Sequence, residues 1–190
     1  GVIARGSPKA FYSSFKSTPP YYNKISSDDI RNTLYPSATM GFLYNNQNGD
    51  FTAIAQYFFN GEGYSDADRT TLFNSYESQT AAVKKMILYS IAMGDLKNFP
   101  FLSGQHYGAA SISFSEIADS DFSFSVMGIM NFSDISGRAQ PTLSLEISDY
   151  LKLSIFSKFI FGADNTEYGI LGQGRPVTIG IKLSAGTGNF

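Results

Sequence analysis

Residues able to do chemistry are few in this chain and lie far apart. His106 is the single histidine among 190 residues. It could serve as a general base toward a serine, but its place at the head of an alternating run fits a strand rim better. Asp66 and Asp68 could bind Ca²⁺ in Tyr64-Ser65-Asp66-Ala67-Asp68-Arg69. The glycine and glutamate spacing of an EF-hand is missing, so a solvated loop is the expectation. Gly172-Gln173-Gly174 and Gly186-Thr187-Gly188 lack the lysine and following helix of a phosphate loop and read as turn and bulge glycines. The absence of cysteine removes disulfides and thiolate metal ligands. The chain therefore reads as a non-enzyme, with no catalytic residue, metal or cofactor expected. What remains is a thin set of charges, Glu146, Lys152, Lys158 and Lys182, each set in a strand-like alternation.

Those alternations are the organising elements. In 142–161, Leu143, Leu145 and Ile147 alternate with Thr142, Ser144 and Glu146. After Ser148-Asp149-Tyr150 the pattern resumes, with Leu151, Leu153, Ile155, Phe159 and Phe161 against Lys152, Ser154 and Lys158. A period of two gives each strand one apolar and one polar face. A turn centred on Asp149 sets Leu145 opposite Leu153 and Glu146 opposite Lys152. The preceding segment repeats the design with Phe122, Phe124, Val126, Gly128, Met130 and Phe132 on one face. Asn48-Gly49 is a two-residue hairpin signal that pairs Tyr44 with Ala53 and Phe42 with Ala55. Further strands run over 105–117 and from Val177 to Ser184.

Composition narrows the setting. Hydrophobic residues make up 43% and aromatics 15%, beside only 16% charged, against roughly 25% charged in soluble domains. Net charge of −2 gives no electrostatic case for nucleic acid. No apolar run reaches the roughly 20 residues of a membrane helix. Residues 1–36, broken by Pro8, Pro19, Pro20 and Pro36, read as an irregular segment or outer loop, with Val2-Ile3-Ala4-Arg5 as the end of a strand. In the excursion 61–104, Val83, Met86, Ile87 and Ile91 follow a helical period, which predicts a helix over 79–93 capped by Ser78. Its apolar stripe points to packing on its own loop or at a barrel mouth; a membrane-surface helix is the alternative.

Connection lengths then set the topology. They alternate along the chain: short at 48, long at 61–104, short at 118–120, medium at 133–140, short at 148–150, long at 162–176. All tight turns fall at one end of the sheet, as an antiparallel up-and-down meander requires. Strands of nine to twelve residues match what a tilted strand needs to cross a bilayer. One face is almost free of charge, with Glu116 its only acid, while the other is Ser- and Thr-rich. Lipid outside and water inside demand that arrangement. Phe124, Val126, Leu145, Leu153, Ile155 and Ile179 are expected to face lipid, and Glu146, Lys152, Lys158 and Lys182 to line a lumen.

With these features, residues 37–190 resemble bacterial outer-membrane β-barrel proteins of the porin-like kind. The resemblance rests on the strand pattern, the turn asymmetry and the terminal Phe190, which is similar to the assembly signal of such barrels. Asn60-Gly61-Glu62-Gly63-Tyr64, Asn131-Phe132-Ser133-Asp134 and Glu167-Tyr168-Gly169 look like their strand-to-loop junctions. The resemblance implies an all-β transmembrane barrel, or its C-terminal part, in the bacterial outer membrane. It implies membrane lipid and the barrel assembly machinery as partners, and passive diffusion of small hydrophilic solutes as the function. A structural or secretion-associated barrel that binds proteins through its loops is the second reading, and a soluble ligand-binding barrel the third. Seven strands are well supported and an eighth is short, so a missing N-terminal part or a partner chain is expected to complete the barrel.

Overall fold

The structure is a computed structural model that describes residues 2–5, 12–24, 34–46, 50–93, 99, 103–117, 120–172 and 176–186. The chain begins with β1 (Val2–Arg5), β2 (Tyr12–Phe15) and β3 (Tyr22–Lys24), followed by β4 (Leu34–Asn45) and β5 (Phe51–Asn60). Two helices come next, α1 (Asp66–Glu77) and α2 (Ala81–Ala92). Then β6 (His106–Phe114), β7 (Phe122–Asn131), β8 (Ser136–Ser148) and β9 (Leu151–Phe161) follow one another. A short helix α3 (Glu167–Gly172) precedes β10 (Val177–Ala185).

Strands β4 to β10 form a consecutive antiparallel meander, and β1 joins its side to make an eight-stranded sheet in the order β1-β4-β5-β6-β7-β8-β9-β10. The expected registers hold: Tyr44 faces Ala53, Phe42 faces Ala55, Leu145 faces Leu153 and Glu146 faces Lys152. The Asn48-Gly49 turn itself lies outside the described residues, as do the 118–119 turn residues, Gly174, Gly188 and Phe190. Around Asp149 the hairpin differs by one residue. The turn is Asp149-Tyr150, and the register shifts between Glu146 and Ser148, leaving Ile147 as the extra residue of a bulge.

The sheet is open rather than closed into a barrel. Among the described residues β1 and β10 are its two edges, and no pairing joins them. The physical reason is directional. Six antiparallel reversals separate β4 from β10, so these two strands run the same way and cannot pair antiparallel. The strand that runs opposite to both, β1, covers only four residues of β4.

Three expectations about loops are also corrected. Residues 133–140 are not a medium loop: the β7–β8 connection is the four residues 132–135, with Ile135 at φ 55°. Strand β8 runs straight through Pro141, which lacks a backbone donor, and its ladder to β9 skips Gln140 and Pro141. The segment 1–36 is not irregular throughout, since it holds β1, the β2–β3 hairpin and the start of β4 with Pro36 opposite Ile3. Finally, Asp66 and Asp68 are not in a loop but in the first turn of α1. Ser65 caps that helix, its hydroxyl accepting from the Asp68 N–H at 3.2 Å and donating to the Asp68 carboxylate at 2.6 Å. The cap of α2 is Thr80 rather than Ser78, which instead closes α1.

The hydrophobic core does not lie on the sheet. Tyr12, Phe15, Tyr64, Leu72, Phe73, Tyr76, Ile87, Phe99 and Ile170 form one buried cluster beyond the long-loop end. They come from β2, α1, α2, α3 and the connections between them, with Tyr35 of β4 and Val83, Leu88 and Ile91 of α2 packed alongside. Phe99, 1% exposed, is the hub: its ring centroid lies 4.7 Å from Phe15 and 5.1 Å from Phe73. Such tilted aromatic contacts add to the burial of large apolar surface. Backbone donors of the hairpin are met by side chains of the excursion. The Tyr12 N–H donates to the Tyr64 hydroxyl at 2.7 Å and the Phe15 N–H to the Ser75 hydroxyl at 2.9 Å.

Burial pushes the phenols of Tyr64 and Tyr76 up to about 12, with the Glu77 charge adding to the rise at Tyr76. Both values lie above the ordinary 10, so the fold favours the neutral phenol. The contribution is fully present below pH 10 and is lost as pH climbs through 12. Amide exchange in α1 is expected to accelerate steeply between pH 10 and 12, beyond the intrinsic base dependence. The same acceleration in a Tyr64→Phe, Tyr76→Phe double variant would remove these two groups as the cause.

Candidate functional site

The pleat sorts the sheet into two surfaces. Along one run Phe42, Ala55, Ala110, Gly128 and Ala139, and in the parallel rows Phe124, Leu143, Ile155 and Ile181 or Leu145, Leu153 and Leu183. Phe124, Val126, Leu145, Leu153, Ile155 and Ile179 all share this apolar face, by register. Among its strand residues the polar exceptions include Ser157 and His106. The His106 ring meets the Tyr57 hydroxyl at 2.6 Å through Nδ1, which accounts for it as a rim residue of β6. Glu116 sits beyond the end of β6 at φ 48°, a turn residue.

The opposite surface brings together all four charged candidates. Lys152 donates to Glu146 at 3.0 Å. Next to this pair the Ser144 and Ser154 hydroxyls meet at 2.8 Å, with Lys182 opposite Ser154 and Lys158 opposite Thr178. A polar depression of about 760 Å³ opens here toward the short-turn end, lined by Ser113, Ser123, Ser125, Ser144, Glu146 and Lys152 among others. The Glu146–Lys152 pair is solvent-accessible, so a double-mutant cycle is expected to give a coupling of only about 0.2–1 kcal/mol that shrinks with salt. A coupling above that range, or one indifferent to salt, would mean that the pair is dry.

At the long-loop end the same surface carries a buried polar network that the sequence patterns did not single out as a site. Glu167, 1% exposed at the start of α3, accepts from the Tyr107 hydroxyl at 2.7 Å and from Asn131 Nδ2 at 2.8 Å. Tyr107 in turn accepts from the Gly104 N–H at 2.8 Å. Asp134 accepts from the Glu167 N–H at 2.8 Å and from the Ser136 hydroxyl at 2.6 Å. Arg69 of α1 reaches Asp134 at 3.3 Å and the Ser133 carbonyl at 2.9 Å. Asn60 closes the set by donating to the Gly104 carbonyl at 3.2 Å. A Cβ at Gly104 would fall 2.6 Å from Asn131 Oδ1, so only glycine allows this approach.

Asn60, Tyr107, Asn131 and Ser136 project on the polar side of the sheet by register. The network therefore fastens α1, α3 and the 61–104 excursion onto the top of that face. The three junction motifs singled out from the sequence meet here, with Asn60, Asn131, Asp134 and Glu167 as their contributions. Their polar residues looked like ordinary loop chemistry one at a time, and only the meander brings them within bonding distance. The arrangement offers hydrogen bonding and an ion pair. It works as a fastening between a folded cap and the polar face of the sheet. No family model, characterised protein or solved structure matches this chain.

Proposed function

We propose that the strands of this chain are the membrane-embedded wall of a bacterial outer-membrane β-barrel. In this reading its polar face lines a water-filled passage for small hydrophilic solutes. The observation that carries the reading is the position of the core. Among the described residues no layer packs on the apolar sheet face: even on interior strands Ile112 is 40% exposed, Leu143 44% and Ile155 48%. The buried cluster sits instead over the end of the sheet. A soluble protein does not leave so large a contiguous apolar surface to water, whereas hydrocarbon covers it at no cost. Strands of 9 to 13 residues in the meander are long enough to cross a bilayer when tilted.

The cap of β2, β3, α1 and α2 then stands at the mouth of the passage and limits what enters. The test is reconstitution of the native polypeptide into planar bilayers. Stepwise conductance, with ion preference altered by Lys152→Glu or Lys182→Glu, is the expected result. Stable, monodisperse protein without detergent would overturn the membrane reading and favour the soluble ligand-binding one.

One observation favours a protein-binding scaffold as the second reading. Helix α2 buries Ile87 but leaves Met86, Tyr89 and its C-cap residue Met93 exposed. A barrel that inserts yet carries no current would support that role over a channel.

A further inference from the structure

We infer that the polar face of β8, β9 and β10 is a track for small anions, on which Arg138, Lys158 and Lys182 attract and hand on solutes bearing carboxylate or phosphate groups. This inference rests on the reading of that face as the wall of a water-filled passage, and it names the solutes the passage takes. Strands β4 to β10 contain five formally charged side chains, Arg138, Glu146, Lys152, Lys158 and Lys182. All five lie on the last three strands, and four of them are basic. The chain as a whole carries −2, so this local excess of cations runs against its overall sign.

The register puts all five on one surface. Arg138 faces Ile160, and Lys158, two residues from Ile160 on β9, therefore shares its side of the pleat. Further down the same side of β9, Ser154 faces Lys182 of β10 and Lys152 faces Glu146 of β8. The three remaining cations thus descend one strand at a time, from Arg138 through Lys158 to Lys182. One strand across and two residues along separates the first two by roughly 8 Å, and the next step is roughly 14 Å. The ring of Phe156, which lies within that longer step, leans onto β10, where a Cβ at Gly180 would collide with it. Neither step contains an acid.

Pairing sets these three apart from Lys152, which Glu146 neutralises at 3.0 Å. Arg138, Lys158 and Lys182 have no ion pair among the described residues. The acids of the network above them, Asp134 and Glu167, are held by Arg69, Tyr107 and Asn131. Asp50, Glu116 and Asp121 stand off the strands, beside Glu146 at the short-turn rim. Uncompensated charges of one sign on a low-dielectric wall concentrate counter-ions, and pores lined by Lys and Arg select anions. The screening length is about 10 Å in 0.1 M salt and about 3 Å in 1 M. Neighbouring cations of the track therefore reinforce one another in dilute salt alone.

The test is the reversal potential of the native polypeptide in planar bilayers under a potassium chloride gradient. Chloride is expected to be preferred over potassium by about three- to tenfold in dilute salt, a preference that fades toward about 1 M. Lys158→Glu with Lys182→Glu should reverse the preference, Lys182→Arg should keep it, and Glu146→Gln, which frees Lys152, should raise it. Should the double Glu variant not assemble, Lys158→Gln with Lys182→Gln is expected to lose the preference. Inorganic phosphate should depress the chloride current of the native protein and leave that of the double Gln variant unaffected. A potassium preference, or a reversal potential indifferent to these substitutions, would overturn the inference. If the protein carries no current, the passage reading fails, and phosphate titration in detergent micelles decides the track. Amide shifts along β9 and β10 that vanish in the double Gln variant would leave the track standing as a binding surface, and their absence would remove it.

Discussion

Arginine at Val126 is expected to abolish membrane assembly, at a cost of about 2–4 kcal/mol for a cation on the lipid side near mid-strand. Val126 is the fifth of ten residues in β7, on the apolar face and opposite Ile112 and Pro141. Arginine at Ser125, one residue away, enters the polar depression instead and should be tolerated, with a change of conductance only. Because successive side chains leave opposite sides of the pleat, the two variants differ in environment and hardly at all in position. Yield in the membrane fraction and resistance to heat denaturation read the difference. Equal assembly of both variants would show that the apolar face does not meet lipid. Arginine at Leu153, on the same apolar face, should behave as at Val126.

Phe73→Ala should unfold the cap and leave the sheet intact. Phe73 is fully buried, packs on Phe99 and lies beneath the Arg69 guanidinium at 5.7 Å. Truncations of this kind cost about 3–5 kcal/mol, a large part of the stability of any small unit. The sheet keeps its own hydrogen-bond ladders, and none of them passes through α1. Proteolysis within 61–104 should therefore rise sharply while heat resistance of the strands stays the same. In bilayers the conductance should increase, as it should on deletion of residues 79–93. Unchanged conductance with loss of a bound protein would move the function toward a scaffold. Failure of the sheet to assemble would mean that the cap is part of the barrel's foundation.

The Arg69–Asp134 contact bears on the same question. Both side chains are buried, at 10% and 1% exposure, and Asp134 also holds the Ser136 side chain and the α3 backbone. Charges held this way contribute less to net stability than to fixing one arrangement. Here the arrangement is the seating of the cap on the polar face.

The alternation of Leu143, Leu145, Leu153 and Ile155 with Ser144, Lys152 and Ser154 determined by itself the strands, their registers and the separation of an apolar from a polar surface. Side chains of a strand point to opposite sides whatever surrounds it, so a period of two is legible without tertiary information. The short run at 148–150 likewise placed the β8–β9 turn to within one residue, because turn chemistry is local. Helix α2 was legible from its 3.6-residue period. Helix α1 carried a readable capping signal in Ser65 and Asp68, but its apolar residues Leu72, Phe73 and Tyr76 make a short, weak stripe beside Arg69.

Only the tertiary structure decided where the core sits. Tyr12 and Phe15 lie 49 or more positions from Tyr64, Phe73 and Phe99, and no local pattern ties a proline-rich segment to a helical excursion. The polar network depends on contacts of the same kind, since Glu167 meets Asn131 and Tyr107 across 36 and 60 positions. Its members are individually the residues of common loops, and their burial comes from the meander that stacks the loop ends together. The openness of the sheet among the described residues was a tertiary matter as well. Each strand pattern is satisfied by one neighbour on either side, and the number of strands that completes a ring is a property of the whole assembly rather than of any one alternation.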